Sequence, residues 1–117
     1  MKYMCLVYLV ESDMNALSKR EADACTEESL AYDQALRRSG HLIAAQALQP
    51  VETATTIRVR NGKLSTTDGP FAETREQLGG FILIEARDLN DAIQVAAKIP
   101  MGRRGSIEVR PIKELTS

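Results

Sequence analysis

The stretch KYMCLVYLV, residues 2 to 10, decides the fold. Its residue types favour strands, and alternation puts Tyr3, Cys5, Val7 and Leu9 on one face and Met4, Leu6, Tyr8 and Val10 on the other. Both faces are apolar, so both need cover. GFILIEA, residues 80 to 86, repeats the pattern, interrupted only by Glu85 on the parity of Phe81 and Leu83. Two such strands in a chain of 117 residues predict a sheet that one layer of helices cannot bury.

The remaining elements follow outward from these two. Ser18 and Glu21 have capping-box spacing, and Ala22, Cys25, Ser29, Tyr32 and Leu36 recur every three or four residues until Gly40. This predicts the longest helix. HLIAAQAL, 41 to 48, reads as a strand closed by Pro50. In TTIRVRNGKLSTT the Asn61-Gly62 turn sets a hairpin in which Val59 faces Leu64, Ile57 faces Thr66 and Arg58 faces Ser65. One hairpin face should be buried and the other wet. Asp88 caps a helix with a Leu89, Ala92, Ile93, Ala96, Ile99 stripe, and SIEVRPI, 106 to 112, is the last strand, with Ile107 and Val109 inward.

With the hairpin set aside, the order is βαββαβ, a ferredoxin-like split βαβ plan in an α+β domain spanning residues 1–117. Both helices then lie on one face of the sheet. The other is left bare, which predicts a sheet-to-sheet homodimer.

Composition narrows the function classes. Fifteen basic against sixteen acidic side chains give a net charge of -1, and aromatics are 4% with no tryptophan, so neither a nucleic-acid field nor a base-stacking platform is present. Nucleic acid is not an expected partner. The first apolar run is too short for a membrane span and has no secretory cleavage site, so the expectation is a cytoplasmic protein with no membrane partner. Cys5 and Cys25 lie in no C-x-x-C or Cys/His cluster and are read as reduced, buried thiols. One histidine among scattered carboxylates does not make a metal site. No cofactor motif is present either, since the glycines fit neither phosphate-loop pattern.

Chemistry concentrates in TTDGPFAETREQLGG, residues 66 to 80. Asp68 can accept a backbone N–H, Gly69 permits an unusual φ and Pro70 fixes its own, so the turn is stiff and Phe71 is an anchor or a pocket wall. Thr74 and Gln77 have capping spacing and predict one helical turn, after which Gly79 and Gly80 let the backbone pass close to a neighbour. Two readings stand: a rigid cover held by Phe71 and Leu78, or a cleft with Asp68 at its mouth and Glu73, Arg75 and Glu76 as polar neighbours. His41 either sits at a helix C-terminus or, paired with an unidentified carboxylate, serves as a general base. Glu85 needs a partner if its face is covered, and Arg110 is the candidate. Glu108, Arg110 and Glu85 then form a structural ion-pair network or orient a ligand.

TDGPFAETREQLGGF with ILIEARDLNDAI, the final GSIEVRPI and the opening MKYMCLVY resemble, over nearly the whole chain, the YCII-related proteins of the DGPF type. The resemblance implies a ferredoxin-like fold of the dimeric α/β barrel group. Relatives in the wider group carry a His and Asp pair proposed as an active site, which here could draw only on Asp68 and His41; His41 is not matched to the family's histidine. Where relatives often have an aromatic or His before GSIEVRP, Arg104 stands here. The resemblance also implies a setting near extracytoplasmic-function sigma factors. The readings are therefore a small-molecule-binding protein or cofactorless enzyme whose pocket lies between sheet and helices under the 66 to 80 loop, with Asp68 and His41 handling protons and Gly69, Pro70, Phe71, Glu76, Glu85 and Arg110 at the ligand, or a non-catalytic module partnering a sigma factor.

Overall fold

In the computed structural model, which describes residues 1–116, the order is β1 Lys2–Leu9, α1 Glu11–Asn15, α2 Lys19–Arg38, β2 Leu42–Ala47, β3 Thr55–Arg60, β4 Lys63–Asp68, β5 Gln77–Glu85, α3 Leu89–Ala97 and β6 Gly105–Pro111. Short 3-10 turns at Val51–Thr53 and Pro100–Arg103 join them. The main sheet runs β2-β5-β1-β6, antiparallel throughout, while β3 and β4 form a sheet of their own. In β1-α2-β2 strand β5 lies between the two strands, and in β5-α3-β6 strand β1 does. That interleaving is the ferredoxin-like plan expected from sequence.

One face of the sheet carries the core. Tyr3, Cys5, Val7, Ile82 and Ile84 are buried against Leu36 of α2 and Ala92, Val95 and Ala96 of α3. Cys5 and Ile84 have no exposed side chain, and burial of an aliphatic side chain such as that of Ile84 stabilises the fold by about 1.5–3 kcal/mol. The opposite face presents Met4, Leu6, Tyr8, Phe81 and Leu83, all half-buried and with no helix above them among the described residues. Both cysteines are free thiols, but only Cys5 is buried, which pushes its pKa up to about 11, while Cys25 is half-buried.

The capping box of α2 is complete: Ser18 Oγ accepts from the Glu21 N–H at 3.1 Å and Glu21 Oε1 accepts from the Ser18 N–H at 3.0 Å. The helix ends at Ser39 and Gly40, whose φ of 83° is the left-handed stop. Helix α3 departs from its expected stripe. Leu89 and Ile93 face solvent, and Asp91, Ala92, Val95 and Ala96 face inward. Asp91 is buried on this side because its carboxylate meets His41, just past the end of α2, and the Arg87 N–H.

Three further expectations change. Helix α1 had no sequence signal. No helical turn forms at Thr74: its hydroxyl donates to the Glu76 carbonyl at 2.7 Å, while Gln77 Nε2 donates to the Ala72 and Thr74 carbonyls at 3.1 and 3.0 Å, so side chains hold the loop. Strand β5 accordingly starts at Gln77, and the glycine pair lies inside it. Gly79 is the unpaired residue of a bulge, since Val7 pairs with Gly80 and Tyr8 with Leu78. A Cβ on Gly80 would come within 2.8 Å of the Gln46 carbonyl oxygen, so the neighbour that the glycine lets in is β2. Finally, the hairpin has the expected register, but neither of its faces is buried within the chain.

Candidate functional site

The Val7–Tyr8 bulge resets the parity of β5, so Leu78 joins Tyr8 on the helix-free face, and Ser106 of β6 completes the row across three strands. Opposite this row stand Pro50 to Thr56 at the hairpin root and the Pro70–Gln77 loop. Between them is an open cleft of about 1140 Å³, lined by Tyr8, Leu78, Pro70, Phe71, Glu76 and Glu108 among others. Its volume lies a little above the roughly 300–1,000 Å³ of small-molecule sites.

The loop beside the cleft is fixed by backbone contacts. Gly69, with φ 97°, donates its N–H to the Ala54 carbonyl at 2.7 Å, and its own carbonyl accepts from Thr56 Oγ1 at 2.9 Å. Arg58 reaches the Phe71 carbonyl at 3.4 Å. These contacts bind the loop to the hairpin and leave the Phe71 ring 78% exposed, so it anchors nothing within the chain. Glu76 is half-buried and accepts from Ser106 Oγ at 2.9 Å, which holds one carboxylate oxygen in place. Glu108 takes the guanidinium of Arg110, and this pairing raises the Arg110 pKa further. Two carboxylates on mainly apolar walls can receive a hydrogen-bond donor or cation on a ligand with an apolar body.

The sequence-predicted residues distribute unevenly around this cleft. Pro70, Phe71 and Glu76 line it. Gly69 shapes the turn beside it, and Asp68 pairs with the lining residue Thr55 across the hairpin root, its carboxylate exposed. Arg110 touches the site only through Glu108. Glu85 stands at the other end of β5, exposed, 3.5 Å from the N-terminal amine and not on Arg110. Glu108 lines the cleft as a ligand-orienting candidate, without Glu85, whereas nothing in the strand pattern marks Tyr8 and Ser106, because the bulge that aligns them with Leu78 is not visible in it. The Gly79–Gly80 pair was the available signal.

His41 lies at the opposite end too. Its backbone carbonyl accepts from Glu85 N–H, beyond Ile84, and the strand from Ile84 to Leu78 spans about 20 Å. The structure does not bring His41 and Asp68 together. The carboxylate that His41 meets is Asp91, at 3.2 Å from Nε2, with Ser39 Oγ 2.7 Å from Nδ1. Asp91 also accepts the Arg87 N–H at 3.0 Å. That backbone bond, ahead of the contacts with His41 and the Arg87 side chain, holds its carboxyl below the usual range against the opposing effect of burial. Every polar group here has a partner, and the cluster joins α3 to the end of α2.

A second concavity, about 490 Å³, separates α2 from the sheet and is lined by Cys25, Ser29, Leu30, Asp33, Val7 and Ile82 among others. Burial there pushes the Asp33 carboxyl up, opposed by Arg37. Of residues 66 to 80 only Gly79 and Gly80 reach it, so the loop does not close a pocket between sheet and helices. Among the described residues no three His, Cys, Asp or Glu side chains converge as metal ligands, and no helix is long and apolar enough to cross a membrane.

The family model for the YCII-related domain matches residues 1–116. An uncharacterized protein of Rhizobium meliloti (strain 1021) is 37% identical over 114 residues, covering 96% of this chain and 92% of that protein.

Proposed function

Since the chain belongs to the YCII-related domain family, whose function is uncharacterised, we propose that it is a homodimeric small-molecule-binding protein or cofactorless enzyme whose ligand occupies the cleft beside the DGPF loop. The observation that carries this is the pairing of a fixed carboxylate, Glu76 on Ser106, with the apolar walls of Tyr8, Leu78, Pro70 and Phe71. Glu76 and Glu108 receive the ligand's donor groups, and the Phe71 ring closes over its apolar part. Asp68 stands at the mouth, paired across the hairpin root with the lining residue Thr55. The homodimer forms through the helix-free face, since Met4, Leu6, Tyr8, Phe81 and Leu83 make a patch that water covers at a cost.

A thermal-shift screen against a broad metabolite library tests the cleft. A hit should stabilise the wild type, while Glu76→Gln and Asp68→Ala, melting normally without ligand, lose the shift. A hit whose shift survives in both variants contradicts the reading.

A second reading, a non-catalytic module that partners an extracytoplasmic-function sigma factor, draws on the uncovered apolar side of the hairpin, where Ile57, Val59 and Leu64 are exposed. It predicts a protein partner whose capture by the purified protein is unaffected by Asp68→Ala.

A further inference from the structure

Helix α2 is anchored to the core at one end only. Of its 20 residues Leu36 alone is buried, and toward the N-terminus the side chains nearest the sheet, Ala22, Cys25 and Ser29, are small. Gly79 and Gly80 of β5 and Ala45 and Ala47 of β2 lie across from them and fill little space either. The concavity of about 490 Å³ that remains between helix and sheet falls within the roughly 300–1,000 Å³ of small-molecule sites. Its walls divide by chemistry. Cys25, Ser29 and Asp33 follow at intervals of four along one face of α2, while Val7, Leu9 and Ile82 give the sheet side an apolar surface. Asp33 is the one charged side chain among the described lining residues.

Asp33 also differs from every other carboxylate that is buried or half-buried, namely Glu11, Glu76, Asp91 and Glu108. Each of those accepts a hydrogen bond: Glu11 from the Val51 N–H at 3.2 Å, Glu76 from Ser106, Asp91 from the Arg87 N–H and Glu108 from Arg110. Asp33 accepts from no donor among the described residues; burial pushes its carboxyl up, and Arg37, one turn along the helix, opposes this through its charge alone. A carboxylate withdrawn from water without a donor in its own chain calls for a partner from outside it.

We infer that this concavity is a second binding site, for a small organic ammonium ion whose head sits on Asp33 and whose apolar body lies along Val7, Leu9 and Ile82. Charge selects the head. A cation forms a charge-assisted hydrogen bond with Asp33, a neutral hydroxyl leaves the charge uncompensated, and an anion is repelled. The site does not depend on the function proposed for the cleft beside the DGPF loop, because the two cavities share only Leu48 among their lining residues.

Hexylamine, hexanol and hexanoate carry one apolar body under a cationic, a neutral and an anionic head. Each is titrated into the isotope-labelled full-length protein while backbone amide resonances are followed. The site predicts that hexylamine moves the amides of residues 25–33 and 79–82, that hexanol binds there at least about tenfold more weakly, and that hexanoate does not bind. Asp33→Asn should lower the hexylamine affinity to that of hexanol. Equal affinity for hexylamine and hexanol, an unchanged hexylamine affinity in Asp33→Asn, or no movement of these amides with any probe overturns the site. Shifts confined to the Pro70–Leu78 loop and lost in Glu76→Gln place the amine in the other cleft and overturn it as well. The head-group comparison uses the wild type, so an Asp33→Asn variant that fails to fold leaves the site open to refutation.

Discussion

The central sheet and the hairpin are written in the same two-residue period, yet the chain buries one and leaves the other bare. In β1 and β5, Cys5 and Ile84 vanish beneath α2 and α3; in β3 and β4, Ile57, Val59 and Leu64 stay in water. The difference teaches that alternation specifies which side chains need cover and says nothing about who supplies it. Helices of the same chain supply it on one face of the sheet. For the other face and for the hairpin, no described element does.

The contrast is sharpest in core truncation. Ile84→Ala should destabilise the chain by about 2–5 kcal/mol, whereas Leu64→Ala should stay within about 0.5 kcal/mol, both from urea titrations extrapolated to dilute protein. A comparable loss at Leu64 would mean that the hairpin is buried by its own chain. The glycines divide in the same way at smaller cost. Gly80→Ala drives a Cβ into the Gln46 carbonyl and should cost about 1–3 kcal/mol by overpacking. Gly69→Ala meets no atom within 4 Å and is strained only by its φ of 97°, a cost of about 1 kcal/mol. Thermal melts of the two variants should therefore differ, and the loop variant should keep the sheet intact.

Capping belongs to the exposed end of the scale. Ser18→Ala removes the acceptor for the Glu21 N–H and should cost about 1 kcal/mol, read from the same urea titrations. The smallest effect is acid sensitivity. Because the folded-state pKa of Asp91 is lowered, its contribution is complete above the ordinary carboxylate range and is lost as pH falls through the folded value. Asp91→Asn should flatten that acid limb of the stability curve, and an unchanged limb would assign acid unfolding to other carboxylates.

The sequence carried the fold well because strand alternation, the Ser18–Glu21 box, the Asn61–Gly62 turn and the Asp88 cap are local signals that the structure realises. It carried less of the site. The lining row of Leu78, Tyr8 and Ser106 depends on a one-residue bulge at Gly79, and a bulge changes no residue type around it. His41 could be singled out as a titratable group, but its partner Asp91 lies 50 residues away, on a helix whose apolar stripe suggested a different rotation. The predicted turn at Thr74 failed for a related reason: capping spacing was present, and the Gln77 amide used it to bond loop carbonyls instead of starting a helix.

The most direct test is the mass of the protein in dilute solution, by sedimentation equilibrium across the nanomolar to micromolar range. A second copy over the helix-free side of Leu6, Tyr8 and Leu83 predicts twice the 12.9 kDa chain mass at micromolar concentration. A species of 12.9 kDa throughout would leave that apolar surface facing water and contradict the account.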